Sequence, residues 1–262
     1  MKEQEFIPTF SIITVCWNDQ VGLEKTYQSL LQQECKDFEW IVVDGNSTDA
    51  SKLFLKGLPE GVCAWSSEPD NGLYDAMNKG LHKSTGRYVT FLNSGDIFAD
   101  GQVLAVIKSE ALGQDSPDFI YGDGLEHISD EENILKKARS HKWLWYGMFT
   151  HHQSMFYKRE LIGSLKYRLE YKLAADYGFT TEFLKKSDEI TYVPTPICVF
   201  EGGGLTSTGS AHILGMKEQW RVGRKLQGKS FVFSLATLSL HLMKHAALRL
   251  APSIVQALRY KK

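Results

Sequence analysis

Three short polar segments follow runs of strand-forming residues, and each of them carries an acidic side chain. They are Trp17-Asn18-Asp19, Asp44-Gly45-Asn46-Ser47-Thr48-Asp49 and Asn93-Ser94-Gly95-Asp96. Ligands of open α/β sheets bind beyond the carboxyl ends of the strands, so three acidic segments at such ends predict one shared site. Asp96 could ligate a divalent cation there. Alternatively, Asp96 and Asp49 could serve only as turn residues or as caps of the helices that follow them.

The segment between the second and third of these polar segments predicts a place for an anion. It reads EPDNGLYDAMNKG, residues 68–80, and leads from a loop into a helix. The first backbone N–H groups of a helix favour negative charge. The sequence has no GxxxxGK[ST] and no GxGxxG motif. A phosphate bound here would therefore need the counter-charge of a cation held by Asp96.

Residues of the second half could supply acid–base chemistry. Asp176 follows Ala174-Ala175 at the start of a predicted helix, where it could be a general base or a helix cap. His151 and His152 open a predicted strand, residues 151–157, in which neighbouring side chains point to opposite faces, so only one of them could face a site. Either histidine could instead be satisfied by packing and hydrogen bonds. The glycine-rich segment 201–207 could fold over a ligand or be a plain connection.

Strand and helix patterns alternate along the first half of the chain. Strands are predicted at residues 10–16, 38–43, 62–65 and 88–92, and helices at 23–31, 49–58 and 74–83. This alternation predicts an α/β fold with a mainly parallel sheet covered on both faces. Later strands at 119–123 and 190–200 follow without a linker or repeat. We therefore expect one domain over residues 1–215, followed by a tail over residues 216–262.

The composition is typical of a globular protein and argues against a secreted or membrane-spanning one. The 262 residues are 43% hydrophobic, which is ample for a large core. The N-terminal MKEQEF lacks the features of a secretory signal, and no 18 consecutive residues are apolar. The four cysteines are scattered, without a CxxC motif or zinc-ligand spacing. These features favour a cytosolic protein with reduced cysteines.

The charge of the chain is unevenly distributed. Residues 219–262 contain nine of the 30 basic residues and none of the 31 acidic ones, so the remainder of the chain is acidic. An acidic body argues against nucleic acid as a partner, whereas a basic tail suits an anionic surface. The predicted tail helix is apolar on one side at Phe231, Leu235, Leu238 and Leu242. It could pack on the domain or lie on a membrane surface, and its charge favours the membrane.

Taken in order, these segments resemble a family-2 glycosyltransferase of the GT-A fold, a Rossmann-like, mainly parallel mixed sheet flanked by helices. The matching pieces are SIITVCWN with TYQSLLQQ, FEWIVVDGNSTDAS, EPDNGLYDAMNKGLHKSTGRYVTFLNSGD, HQSMFYKREL and LAADYGF, which cover roughly residues 9–210. The segment EPDNGLYDAMNKG, followed by FLNSGD, further resembles the colanic-acid, capsule and exopolysaccharide branch of that family.

The resemblance implies roles for individual residues. Asp96 would ligate Mg²⁺ or Mn²⁺ on the donor diphosphate, Asp44 would meet the nucleotide base, and Asp176 would be the general base. Asn93 and Gly95 stand where carboxylates are frequent in the family. One carboxylate still suffices chemically, because Mg²⁺ keeps waters and takes phosphate oxygens. The other implied donor-binding residues are Thr14, Val15, Asn18, Asp70, Asn78, Asn93, Ser94 and His152.

The implied function is inverting transfer of a sugar from a UDP- or GDP-sugar to a lipid-linked saccharide, in bacterial surface polysaccharide synthesis at the inner face of the cytoplasmic membrane. One alternative is a sugar-nucleotide pyrophosphorylase, although residues 15–18 stand where that class carries a GxGxR-type loop. Another is a binding scaffold without catalysis. The donor sugar, the base and the acceptor linkage stay open.

Overall fold

The computed structural model describes residues 7–113, 116–129, 132–201 and 209–250. Nine strands form one sheet: β1 (Phe10–Cys16), β2 (Phe38–Asp44), β3 (Ala64–Ser67), β4 (Tyr88–Phe91), β5 (Ile97–Phe98), β6 (Phe119–Ser129), β7 (Glu132–Lys136), β8 (Met155–Lys158) and β9 (Ile190–Phe200). The α-helices of the described ranges are α1 (Gln20–Leu31), α2 (Ser51–Gly57), α3 (Leu73–Lys83), α4 (Val103–Ala111), α5 (Arg159–Ile162), α6 (Ala175–Leu184), α7 (Gly209–Lys225) and α8 (Phe231–Leu250).

The sheet brings several segments of the chain to one edge. Its order is β3-β2-β1-β4-β8-β6-β9-β5, with β7 paired to β6. Strands β1 to β4 pair in parallel, whereas β8 is antiparallel to both β4 and β6. The start of β8 therefore lies at the same edge as the ends of β1, β2 and β4. Strand β9 is parallel to β6, so its end at Phe200 reaches this edge too.

Alternating side chains of the central strands bury both faces of the sheet. Ile13 and Val43 point to the face that packs against α3, α6 and α7, together with Met77 and Val222. Their sequence neighbours point to the opposite face, which packs against α1, α2 and α4. Burial on both faces explains why β1 is apolar along most of its length and lacks a polar side.

The observed architecture confirms the predicted fold class of a mainly parallel mixed sheet flanked by helices. One predicted strand is wrong at its start. Residues 152–154 form a 3-10 turn, and β8 begins only at Met155. The reason is the tertiary pairing, because β8 meets β4 and β6 only from Met155 onward. All four cysteines are free.

Both helices of the predicted tail, α7 and α8, pack against the rest of the domain. Helix α7 spans the predicted boundary at residue 215, and its Val222 is fully buried in the main core. Helix α8 turns its polar residues Ser234 and Thr237 inward, and its His241 ring stacks on Tyr146 with ring centroids 4.3 Å apart. Within the described ranges, no helix is both long and apolar enough to cross a membrane. The boundary itself stays a prediction, and residues 251–262 lie outside the described residues.

Candidate active site

Asp96 is a nearly buried carboxylate at the end of the turn that follows β4. Only 5% of the residue is exposed. The side-chain amide of Gln153 donates to its Oδ2 at 2.6 Å, and the backbone N–H of Glu201 approaches its Oδ1 at 3.4 Å. Burial raises the pKa of Asp96 to about 6, and the nearby Glu201 carboxylate adds to the rise. A carboxylate kept from water in this way gains from a bound cation.

Two buried amide oxygens lie in the residues around Asp96 and lack a partner. They are Oδ1 of Asn93 and Oε1 of Gln153, which form no hydrogen bond with any described residue. Buried polar atoms are rarely left unpaired, so these two oxygens are available to a cation or a water molecule. Oxygen ligands are those that Mg²⁺ and Mn²⁺ prefer. The residues therefore fit a divalent ion that takes its other ligands from phosphates, although the described residues contain no cluster of three His, Cys, Asp or Glu side chains.

The turn that carries Asp96 is held from helix α1. Thr26 Oγ1 donates to the backbone oxygen of Asp96 at 2.8 Å and accepts from the N–H of Gly95 at 3.1 Å. Gly95 has φ of +91°, a conformation that other residues adopt only with strain. Ser94 donates its hydroxyl to the Asp19 carbonyl at 3.1 Å, so the predicted donor residue Ser94 ties this turn to the loop after β1.

Asp44 is fully buried and orders its own loop. Its carboxylate accepts from the Ser47 N–H at 3.0 Å, from the Ser47 hydroxyl, and from the Ser67 hydroxyl at 2.5 Å. Asp49 accepts from the first backbone N–H of α1 and of α2, which is the capping role that was its alternative. The predicted contact of Asp44 with a nucleotide base stays a prediction.

The other residues predicted around the base have different surroundings. Thr14 is buried and bonded to the Leu92 carbonyl and the Trp40 ring, and Val15 is in the core, so only their backbone could line a pocket. Asn18 accepts from the Thr48 N–H at 2.7 Å and thereby joins the first two loops.

An aromatic side chain and a carboxylate lie beside Gly45, in the loop that follows β2. Trp17 is 71% exposed beside Gly45. Asp70 lies close to Gly45: a Cβ atom on residue 45 would be only 2.5 Å from Oδ2 of Asp70. Asp70 also accepts from the Gly72 N–H at 2.8 Å, just before α3. Gly45 thus lets Asp70 approach the loop that follows β2.

The side chain of Asn78 forms two hydrogen bonds with the backbone of Tyr167. Its amide donates to the Tyr167 carbonyl at 2.9 Å and accepts from the Tyr167 N–H at 2.8 Å. Both ends of the amide are therefore used to fasten α3 to the segment that precedes α6. Its predicted contact with the donor stays a prediction.

Asp176 lies in the first turn of α6, as the sequence predicts. Its Oδ1 accepts from the Tyr177 N–H at 2.8 Å and faces the Tyr74 hydroxyl at 3.4 Å. Burial raises the pKa of Asp176, and the opposing influence of His152 is smaller. A partly buried carboxylate with a raised pKa is a stronger base than an exposed one.

The turn at residues 152–154 connects the two carboxylates. His152 Nε2 lies 3.3 Å from the amide nitrogen of Asn93, and the charge of Asp176 acts on its ring. Burial lowers the pKa of His152 and thereby favours the neutral form of the ring. The next residue, Gln153, reaches Asp96. His151 instead stacks on Phe200 with centroids 4.9 Å apart, so of the two histidines His152 faces the site.

An apolar cleft of about 450 Å³ opens beside Tyr74, the residue that contacts Asp176. Its lining residues are Asn71, Gly72, Leu73, Tyr74, Leu169, Tyr171, Lys172, Leu173, Ala211 and Leu214. Most of them are apolar or aromatic, and Lys172 is the one basic side chain among them. The cleft is bordered by the start of α3, by the segment that precedes α6 and by α7.

Two site residues escaped the sequence analysis. Gln153 enters the sequence analysis only within the segment HQSMFYKREL, and nothing in the order of residues connects it with Asp96, 57 positions earlier. Tyr74 was read only as part of a helix start, although its hydroxyl faces Asp176 across 102 positions. The glycine-rich segment that could cover the donor lies mostly outside the described residues, which resume at residue 209.

Comparison with known proteins finds glycosyltransferases. A model described as Glycosyl transferase family 2 matches residues 11–171. A PGL/p-HBAD biosynthesis glycosyltransferase of Mycobacterium bovis is 31% identical over 219 residues, which are 77% of this chain and 80% of the relative. A GalNAc(5)-diNAcBac-PP-undecaprenol beta-1,3-glucosyltransferase of Campylobacter jejuni is 30% identical over 135 residues, 50% of this chain and 42% of the relative.

Solved structures show the same fold. TarS 1-349 of S. aureus in complex with UDP-GlcNAc has a TM-score of 0.66 at 16% identity, covering 96% of this chain and 76% of that one. The mannosyltransferase PcManGT from Pyrobaculum calidifontis, in complex with GDP-Man and Mn²⁺, has a TM-score of 0.64 at 17% identity, covering 97% and 81%. The likeness shows the GT-A fold.

Proposed function

The chain belongs to glycosyl transferase family 2, and on that premise we propose that it moves a sugar from a nucleotide-sugar donor to a lipid-linked saccharide acceptor with inversion of the anomeric centre. The observation that carries the proposal is that two carboxylates, buried Asp96 and half-buried Asp176, both act on the turn at residues 152–154. Gln153 of this turn donates to Asp96, and the charge of Asp176 acts on the ring of His152. One carboxylate suits the departing diphosphate and the other suits the attacking hydroxyl.

The donor side would be formed by the loops after β1, β2 and β4. Asp96, Asn93 and Gln153 would hold Mg²⁺ or Mn²⁺, which when bound stabilises negative charge on the departing diphosphate. Of the two similar solved structures, TarS is in complex with UDP-GlcNAc, and PcManGT is in complex with GDP-Man and Mn²⁺. These complexes support a nucleotide-sugar donor and a divalent ion. Asp44, Asn18 and Asp70 would shape the pocket for the base and ribose.

Asp176 would act as the general base. It removes the proton of the acceptor hydroxyl while that oxygen attacks the anomeric carbon from the face opposite the diphosphate. The bond from the anomeric carbon to the diphosphate breaks on the other face, so the configuration inverts. The raised pKa of Asp176 supports this role, because it increases the proton affinity of the carboxylate. Tyr74 and the Tyr177 N–H would orient it.

The acceptor would enter from the apolar cleft beside Tyr74. Its leucine and tyrosine lining suits an apolar part of the acceptor, and Lys172 at its edge suits a phosphate. The Campylobacter relative is named for an undecaprenol-diphosphate-linked substrate, which supports a lipid-linked acceptor. A colanic-acid or capsule pathway stays a prediction from the resemblance alone.

The tail supports contact with a membrane. Helix α8 uses its polar residues Ser234 and Thr237 to dock on the body, which leaves apolar residues outward. The exposed apolar residues of α8 within the described part are Phe231, Val232, Phe233, Leu235, Leu240, Leu242 and Met243. Trp143 is also half exposed and stacks on Trp145, which packs on Phe233. Packing and membrane contact are thus compatible, and we propose that this surface lies on the inner face of the cytoplasmic membrane.

The direct test is transfer in vitro. The full chain is incubated with Mn²⁺, a polyprenyl-diphosphate-linked saccharide, and in turn UDP-glucose, UDP-galactose, UDP-N-acetylglucosamine, GDP-fucose and GDP-mannose. We expect transfer from one donor, loss of activity with EDTA, and an inverted anomeric configuration by NMR. Retained configuration would contradict direct displacement. Pyrophosphate-dependent formation of a nucleotide sugar would indicate the pyrophosphorylase alternative, and donor binding without turnover would indicate a scaffold.

A further inference from the structure

Helix α6 carries the proposed base but begins without a cap of its own. Its N-cap residue is Ala174, which has no side-chain acceptor. The first N–H groups of a helix lack partners within the helix, and burying them unpaired is costly. Ala174 is 1% exposed, so water does not hydrogen-bond to its backbone N–H group. Another residue must therefore accept from the segment that enters α6.

That acceptor is Glu218 of α7. Its Oε1 accepts from the Lys172 N–H at 2.9 Å, and its Oε2 accepts from the N–H groups of Leu173 at 2.7 Å and Ala174 at 3.1 Å. Only 2% of Glu218 is exposed. Three consecutive backbone donors thus converge on a single carboxylate that lies 44 to 46 positions further along the chain.

The charge of Glu218 is balanced mainly by the backbone. Within the described residues, no Lys, Arg or His forms an ion pair with it. A buried carboxylate is costly unless it is paired or well hydrogen-bonded. Here the N–H dipoles before a helix supply that stabilisation, because anions are favoured at helix N-termini. A neutral side chain of the same size would accept fewer of these bonds.

We propose that Glu218 is a positioning residue for Asp176, an inference that rests on the proposed role of Asp176 as the base. Ala174 precedes Asp176 by two residues, so the three bonds fix where the carboxylate enters the site. The same bonds hold Lys172 and Leu173, which line the apolar cleft. One side chain of α7 therefore sets both the base and the acceptor wall. The effect is large because small displacements from the attack geometry reduce rate strongly.

The test uses Glu218→Gln, which keeps the shape but replaces one acceptor oxygen by a donor. We expect turnover to fall about 10- to 100-fold while the affinity for UDP or GDP with Mn²⁺ changes less than about threefold, because the donor loops do not contact Glu218. Glu182→Gln is the matched control. It makes the same chemical change within α6 itself, at a residue paired with Arg168 on the surface, and should leave turnover near the unmodified value.

A double-mutant cycle separates positioning from a merely structural role. If Glu218 acts through Asp176, adding Glu218→Gln to Asp176→Asn should cost less than about threefold further, because the group it positions is already lost. Should Glu218→Gln fail to fold, Glu218→Asp, which keeps the charge and shortens its reach, takes its place in the same cycle with a smaller expected loss.

Each outcome decides one of the two proposals. Near-normal turnover of Asp176→Asn removes the base and, with it, the positioning role. A large loss in Asp176→Asn combined with normal turnover of the Glu218 variant, or with losses that simply multiply, overturns the role of Glu218 and leaves the proposed function intact.

Discussion

The donor side and the base side of the site are held in place by different elements of the fold. On the donor side, Asp44 accepts from Ser47 and Asp19 accepts from Gly22, each over 3 positions. Longer bonds also join the donor loops to their surroundings: Thr26 reaches Asp96 over 70 positions, and Gln153 reaches it over 57. On the base side, Glu218 of α7 reaches the entry of α6 over 44 to 46 positions. The donor side thus combines local turns with contacts that the sheet and α1 supply, whereas the base side depends on α7.

This difference predicts which substitutions damage binding and which damage turnover. A change in a donor loop should act on the donor and leave α6 in place. A change on the base side should leave the donor loops intact. The two carboxylates with raised pKa values, Asp96 and Asp176, provide a clean test because one stands on each side.

The largest effect is expected on the base side, from Asp176→Asn. Positioned proton transfer contributes about 10²–10⁴-fold in rate, so turnover should fall by that much. Nucleotide affinity should survive, because the donor loops lie on other strands. Asn caps a helix about as well as Asp, so a loss of this size could not come from a lost cap. Steady-state rates together with nucleotide titration measure both quantities, and a parallel loss of nucleotide affinity would break the division into two sides.

A smaller effect is expected on the donor side, from Asp96→Asn without metal or nucleotide. Burial raises the folded pKa of Asp96 to about 6 from 3.8, so the ionised form destabilises the fold. The stability that wild type has below about pH 4 is therefore lost as pH rises through about 6. The Asn variant lacks this loss and should be more stable than wild type at pH 7.5 by up to about 3 kcal/mol, with no gain near pH 4.

Bound metal and nucleotide should make wild type the more stable of the two proteins. With UDP or GDP and Mn²⁺, the apparent melting temperature of wild type should rise and that of Asp96→Asn should not, because ligand binding stabilises by mass action. Thermal unfolding across pH, with and without ligand, measures both parts. Asp188→Asn, at an exposed residue, is the control and should follow wild type throughout. Undiminished metal-dependent stabilisation of Asp96→Asn would remove Asp96 from the metal site.

The smallest effect is expected outside both sides, on α8. Val232→Asp places a charge on a side chain that is 76% exposed, and Leu53→Asp makes the same kind of change at 73% exposure on α2. We expect Val232→Asp to weaken sedimentation with anionic liposomes about tenfold, from the lost apolar burial, and Leu53→Asp to have no effect. Turnover on a water-soluble acceptor should be unchanged in both. Equal binding of the two variants would argue against a membrane face on α8.

Sequence patterns predicted the turns at the ends of β1, β2 and β4 for a physical reason. Strand-forming runs that end in Asp, Asn, Ser and Gly describe their own turns, and short-range bonds such as Asp49 to Ser51 follow directly from the order of residues. The patterns predicted the wrong conformation at His152, because a strand begins only where a partner strand is available. They also placed Leu238 with the apolar side of α8, whereas it is half-buried beside Thr237.

The sequence by itself determined the alternation of strands and helices, the acidic ends of β2 and β4, the helix start at Asp176 and the basic tail, because each of these depends on neighbouring residues. The tertiary structure alone decided that Gln153 meets Asp96, that Glu218 accepts from the backbone leading into α6 and that α8 packs by its polar side. Those contacts join residues far apart in the chain, and only the strand order and the packing of α7 bring them within hydrogen-bond distance.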